Sequence, residues 1–244
     1  AFFARVPNRV HTFQGEVWAS KTGFMRGFLI LMDKLVNRLS THITVVSHGE
    51  RDFLISQKII DEKKSKVIGH GSIGGVDLKR FKSDEEQRNQ TRQRLGFKEN
   101  DFVFLYVGRL NRDKGLLTLR DAFLNLSAQN PSSPVKLLIV GPDEENIREE
   151  YAETVPETHQ RDIQIETYVD APEIYMNAAD CLVLPSFREG FGVVIIEAAA
   201  IGVPAIGSDI YGLRDAIVEN ETGLFFKVGN VDDLSDKMKM IAED

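Results

Sequence analysis

The chain has 244 residues, 42% hydrophobic and 27% charged, which is the composition of a soluble globular protein of one or two domains. One cysteine, Cys181, excludes a disulfide framework; it sits in the apolar run Cys181-Leu182-Val183-Leu184, reads as a buried structural thiol, and fits a reducing cytoplasm. The net charge of −7 is uneven: through Ser47 six basic residues stand against two acidic ones, a balance of +4 that leaves −11 for the rest.

No stretch approaches the ~18 uninterrupted apolar residues of a membrane span, and no secretory signal opens the chain. The acidic body, without a basic aromatic platform, speaks against a nucleic-acid partner. A basic segment on an acidic body suits peripheral contact with phosphates or an anionic membrane surface; a solvated helix face is the other reading.

In chain order, the spacing of Phe24, Phe28, Leu31 and Leu35 predicts a helix over Phe24–Leu39, followed by a strand Ile43–Ser47 and a helix Glu50–Gln57. Gly69-His70-Gly71-Ser72-Ile73-Gly74-Gly75 suits a flexible crossing or a close backbone approach to a ligand. The charged run Lys82–Gln93 reads as a surface helix. From Phe102 onward, apolar β-type runs alternate with helical stretches, the rhythm of βαβ units around a parallel sheet with an α/β fold. The expected strands are Phe102–Val107, Val135–Val140, Ile163–Tyr168, Cys181–Leu184 and Pro204–Gly207. The expected helices are Gly115–Gln129, Glu144–Thr154, Ala171–Ala178, Gly192–Ile201 and Val231–Ala242. An opening at Ala1-Phe2-Phe3 without a first strand or phosphate loop, and an end inside a helical segment, suggest a piece of a larger protein.

Two constellations carry chemistry. In the first, Pro185-Ser186-Phe187-Arg188-Glu189-Gly190-Phe191-Gly192-Val193, a strand ends, a glycine-bearing loop follows, and a helix starts near Gly192. Backbone N–H groups at a helix start lack intrahelical partners, so a diphosphate can be bound there without a cation. Glu189 in the loop and Glu197 about a turn and a half into the helix are placed to address opposite ends of one long ligand. Carboxylates make charge-assisted hydrogen bonds to the hydroxyls that a nucleotide sugar offers at both its ribose and its hexose. Taken singly, Glu189 also reads as a helix-capping acid and Glu197 as an exposed helical glutamate. In the second, Tyr106-Val107-Gly108-Arg109-Leu110-Asn111-Arg112-Asp113-Lys114-Gly115, Arg109 and Lys114 flank a loop after a strand, where two cations can neutralise a diphosphate as its bond to a sugar breaks. Solvated loop charge is the bland alternative. All four charged groups are expected on one cleft at the rim of a single sheet.

Gly108-Arg109-Leu110 with Lys114-Gly115, Glu189 and Glu197 with seven residues between them, Gly202-Val203-Pro204 and Thr222-Gly223-Leu224 together resemble the retaining family 4 glycosyltransferases of the GT-B fold. The likeness runs from about Ile43 onward and says little about the sugar. It implies two Rossmann-like domains: residues 1–47 as a remnant of the N-terminal, acceptor-side domain, and residues 48–244 as the C-terminal nucleotide-sugar domain including the interdomain crossing. It also implies a nucleoside-diphosphate sugar donor (a UDP-sugar is favoured), a saccharide or lipid-linked acceptor, retention of anomeric configuration and no metal or other cofactor. The setting it implies is surface-polysaccharide assembly in the cytoplasm, with a peripheral place on the inner face of the membrane open.

By the same likeness Gly108, Arg109 and Lys114 grip the diphosphate. Glu189, Gly190, Phe191, Gly192 and Val193 hold the sugar, and Glu197 meets the ribose. Gly141 and the stretch Tyr168-Val169 face the base, and Glu189, Arg109 and Lys114 are the catalytic candidates. The family often places a histidine before a glycine where this chain has Gln14, with His11 three residues earlier; both remain open for a catalytic role. The usual Asn-Gly-Val-Asp crossing reads Gly74-Gly75-Val76-Asp77 here. The family's glycine-rich first loop has no counterpart, so weak donor binding and slow transfer are expected of this polypeptide.

Other activities are weighed on the same residues. An epimerase needs acid and base groups facing the sugar ring, and no carboxylate pair with a histidine stands at the donor loop. A pyridoxal-phosphate phosphorylase needs a cofactor lysine site that is not identifiable. A non-catalytic nucleotide-binding module remains, although no Gly-x-Gly-x-x-Gly fingerprint of a dinucleotide domain follows any predicted strand.

Overall fold

The computed structural model describes residues 1–129, 135–167 and 169–243, which group into two compact units. The first contains residues 1–75, 188–193 and 210–216; the second contains 76–187, 194–209 and 217–244. The expected boundary after residue 47 is thus replaced by one after Gly75, because the segment 48–75 completes the first unit's sheet.

In the first unit, β1 (Val10–Phe13), α1 (Gly23–Leu39), β2 (His42–Val45), α2 (His48–Ser56) and β3 (Ser65–Val67) follow one another. The three strands form a parallel sheet in the order β1-β2-β3, with Val10 opposite His42 and Ile43 opposite Ser65. Its core is Phe13, Trp18, Ile43, Val45, Leu54, Ile59 and Ile60, against which Leu29 and Ile30 of α1 and Phe53 of α2 pack. The helix expected at Phe24–Leu39 forms, but the stripe Phe24, Phe28, Leu31 and Leu35 faces solvent, with Phe24 88% exposed. A neighbouring face, carrying Leu29 and Ile30, makes the core.

The second unit opens with α3 (Glu85–Arg94), whose acidic first turn and Asp84 cap suit a helix start: Asp84 accepts the Gln87 N–H at 3.0 Å. This expected surface helix is pinned to the body. Arg88 and Arg92 both reach Asp180, at 2.5 and 3.2 Å, and Arg92 is itself buried. Then come β4 (Phe102–Val107), α4 (Leu116–Gln129), β5 (Val135–Val140), α5 (Ile147–Thr154), β6 (Ile163–Glu166), α6 (Pro172–Ala178), β7 (Cys181–Leu184), α7 (Val193–Ile201), β8 (Ala205–Ser208), β9 (Gly223–Phe226) and α8 (Val231–Glu243).

The strands make a six-stranded parallel sheet in the order β6-β5-β4-β7-β8-β9. The α/β class expected from the rhythm of apolar runs is therefore what forms. β4, β5 and β7 lie in the middle and are almost wholly buried, which is why they read as unbroken apolar runs rather than as alternations. Cys181 is buried on β7, and burial pushes its thiol pKa up, so it is an inert core group. The strand order reverses between β4 and β7. In open α/β sheets the loops leaving the carboxyl ends of the strands at such a reversal frame the ligand crevice.

Candidate functional site

Both sequence constellations leave the sheet at that reversal. The loop after β4 carries Gly108, Arg109 and Lys114; the loop after β7 begins at Pro185. They touch inside the second unit, where the Phe187 N–H donates to the Asp113 carbonyl at 2.9 Å. Gly115 closes the single helical turn Arg112–Lys114 with φ +69°, and a Cβ there would lie 2.0 Å from the Pro185 carbonyl oxygen. Only glycine allows that approach.

Arg109 is braced from below by the Tyr106 hydroxyl, which donates to the Arg109 carbonyl at 2.8 Å. Its guanidinium stays exposed and pairs with Glu144 at 3.3 Å. Glu144, on the loop after β5, also accepts from Asn111 Nδ2 at 2.8 Å. The Asn111 hydrogen bond, followed by the charges of Arg109 and Lys114, holds the Glu144 carboxyl below the usual carboxylate range. Both cations therefore act on one carboxylate. Gly141 follows the end of β5 and donates its N–H to the Glu166 carbonyl at 3.0 Å. Val169 precedes α6; Tyr168, the other half of the expected base contact, lies outside the described residues.

Glu197 sits on α7, half-buried. Burial, with Glu173 as a like-charged neighbour, raises its pKa against the pull of Arg80. Arg80 in turn donates to Glu173 at 2.8 Å and to the Asp170 carbonyl at 2.6 Å. The cationic pair and Glu197 thus have separate charged neighbours within the second unit.

Glu189, Gly190, Phe191, Gly192 and Val193 fall in the first unit. There the backbone of the loop lies directly on the turn after β1: a Cβ on Gly190 would come within 2.8 Å of the Gln14 carbonyl carbon. A Cβ on Gly212 would come within 1.9 Å of the Glu189 carbonyl oxygen, so the segment 210–216 walls the loop on a second side. Phe191 is buried. His11 and Gln14 line a cleft of about 240 Å³ in this unit, together with Gly15, Glu16, Trp18 and Asp33.

Three groups that motif reasoning passed over stand beneath that turn: Glu16, Glu50 and Tyr211. Glu50 is fully buried and accepts the Gly15 N–H. Burial, aided by the charges of Glu50 and Asp33, pushes the Glu16 carboxyl pKa up to about 9. Burial also raises that of Glu50, against the pull of hydrogen bonds from Gly15, Glu16 and Val46. The available signal was Ser47 three residues before Glu50, a capping-box spacing. The Ser47 hydroxyl does accept the Glu50 N–H at 3.1 Å, while the Glu50 side chain goes on to Gly15.

The parallel sheets with helices between their strands are an architecture this chain shares with GT-B glycosyltransferases. Residues 87–244 match the family described as glycosyl transferases group 1, and the chain belongs to that family. Over its whole length it is 29% identical to the capsular polysaccharide biosynthesis glycosyltransferase CapM of Staphylococcus aureus, covering 63% of that relative. It is 28% identical to the Escherichia coli UDP-Gal:alpha-D-GlcNAc-diphosphoundecaprenol alpha-1,3-galactosyltransferase, covering 62% of it. The chain thus spans a little over three fifths of these relatives' length. Among solved structures, Anabaena HepE in complex with UDP and glucose superposes with a TM-score of 0.81 at 22% identity, over 96% of this chain and 62% of that one. No described helix is long and apolar enough to cross a membrane.

Proposed function

We propose that this chain carries the donor-binding part of a retaining glycosyltransferase. It moves a sugar from a nucleoside-diphosphate sugar, a UDP-sugar by preference, to a saccharide or lipid-linked acceptor in surface-polysaccharide assembly. The observation that carries the reading is the junction of the loops after β4 and β7 at the strand-order reversal, with Arg109 and Lys114 on one of them. Family membership supports it, and so do the capsule and UDP-galactose names of the relatives and the UDP bound by HepE.

On this reading Arg109 and Lys114 neutralise the negative charge that grows on the diphosphate as the glycosidic carbon–oxygen bond breaks, which is the part a metal ion plays elsewhere. Arg109 leaves Glu144 for the phosphate oxygens. Glu189 and the backbone from Gly190 to Val193 take the sugar hydroxyls, Glu197 takes the ribose, and Gly141 and Val169 border the base. The exposed apolar stripe of α1, flanked by Lys21, Arg26, Lys34 and Arg38, provides the peripheral contact with an anionic membrane that a lipid-linked acceptor calls for.

The test is incubation with a panel of nucleotide sugars, with and without a lipid-linked N-acetylglucosamine acceptor. Acceptor-dependent release of the nucleoside diphosphate, with an α-linked product from an α-linked donor, is expected. Interconversion of the free nucleotide sugars without acceptor would contradict the assignment and favour an epimerase.

A further inference from the structure

The first unit holds a buried chain of carboxyl groups that the donor-binding scheme does not use. Trp18 Nε1 donates to Asp33 at 2.7 Å; Glu16 lies beside both Asp33 and Glu50; Glu50 accepts the Gly15 N–H. Glu16 and Glu50 are 3% and 0% exposed. Among the described residues, Glu16 Oε1 and Glu50 Oε2 have no conventional donor. Burial of ionised carboxylates without partners is costly, and a proton retained by Glu16 lowers that cost by neutralising it and giving it one O–H to donate to a neighbouring carboxylate.

The chain of contacts does not end at Gly15. That residue has φ +96°, and a Cβ on it would lie 3.2 Å from the Gly190 nitrogen, so the two backbones meet with no side chain between them. α2 also holds the other wall of the loop. The Asp215 carboxylate accepts the N–H groups of His48 and Gly49 at the start of α2, and the Tyr211 ring stacks on Phe53 at 4.4 Å and 8°. One helix therefore grips both the turn after β1 and the segment 210–216, the two surfaces on which Glu189 and Gly190 lie.

We propose that Glu50, with Glu16 packed beside it, is a positioning residue for the loop 188–193: it fixes Gly15, Gly15 seats Gly190, and the loop takes its donor-ready shape from that seat. The functional half of this statement rests on the reading of Glu189–Val193 as the sugar-facing loop. The shape of the loop then answers to pH. Besides each other, the titratable and charged groups facing the pair are Asp33 on α1 and Tyr211 on the segment 210–216, with Arg188 acting on Tyr211 and Arg26 stacked over Trp18 at 5.4 Å. Loss of the Glu16 proton at alkaline pH sets like charges together and loosens the grip on Gly15.

The experiment is hydrogen–deuterium exchange with mass spectrometry, paired with calorimetric titration of UDP, on the whole chain at pH 6 and pH 9. The proteins are wild type, Glu50→Ala, Glu50→Gln and Glu16→Gln. Losing a hydrogen bond to a charged group should raise exchange of the 188–193 amides about tenfold or more in Glu50→Ala, with β4 and β5 unchanged, and should weaken UDP by about tenfold. Glu50→Gln, which keeps an acceptor, should restore most of both. In wild type the move to pH 9 should accelerate exchange in 188–193 beyond the intrinsic rate, and Glu16→Gln should abolish that acceleration. If Glu50→Ala does not fold, the pH comparison between wild type and Glu16→Gln decides. Unchanged 188–193 exchange in a folded Glu50→Ala, or a pH response that Glu16→Gln leaves intact, overturns the proposal. Altered exchange in a protein whose wild type binds no UDP keeps the seat and sinks the donor reading instead.

Discussion

Arg109 shows how little a candidate site residue contributes to the fold that carries it. Its ion pair with Glu144 is solvent-exposed, and water and salt screen such pairs so that they add little to stability. Arg109→Ala should therefore leave the melting temperature within a few degrees while costing roughly ten- to a hundredfold in nucleotide affinity, the worth of a charge-assisted phosphate contact. Glu189→Ala should lower sugar transfer more than it lowers UDP affinity. Gly115 is the opposite case: Gly115→Ala forces a Cβ against the Pro185 carbonyl at positive φ and should cost upward of about 1 kcal/mol in denaturant unfolding. Glu16 gives a pH signature. Its folded pKa lies far above its ordinary value of 4.5, so the folded state holds a proton that the unfolded state releases. The stability it contributes is complete below about pH 4.5 and is lost as pH rises through about 9. Thermal melts should show less stability at pH 9 than at pH 6, with a smaller difference in Glu16→Gln.

Among the elements, α5 depends on one side chain before it. Asp143 accepts the N–H groups of Ile147 and Arg148, both at 2.9 Å. These bonds outweigh the effect of partial burial and hold its carboxyl below the usual range. Asp143→Ala should cost about 1 kcal/mol, the usual worth of a helix cap, measurable at neutral pH and vanishing as pH falls through the depressed pKa.

The second unit was largely legible because β4, β5 and β7 are buried on both faces, so composition alone marks them. The short strands β1, β3 and β9 were not. Val10–Phe13 is half-solvated, Ser65–Val67 follows two lysines and is only three residues long, and Gly223–Phe226 opens on glycine; each exists because a neighbouring strand offers it a ladder. Of the candidate site, Arg109 and Lys114 were readable from a strand-loop-helix pattern. Glu50 was not: its partner Gly15 is 35 residues away, and a helix-start glutamate after a serine has an ordinary local explanation.

For the molecule as a whole, charge and exposed apolar surface point the same way. The segment through Ser47 is basic within an acidic chain, and its helix α1 leaves Phe24, Phe28 and Leu31 in solvent. The chain should co-sediment with vesicles rich in phosphatidylglycerol. It should do so less in 0.5 M salt, where the Debye length falls to a few ångströms, and less with Phe24→Asp and Phe28→Asp combined. Equal binding to neutral vesicles would remove the electrostatic part of that contact.

The measurement closest to the central claim is calorimetric titration of the chain with UDP, GDP and NADH in the presence of EDTA. UDP, or GDP if the base preference differs, should bind saturably and one-to-one without added metal, and Arg109→Ala should weaken that binding. Binding of NADH with no response to either nucleoside diphosphate would contradict that claim.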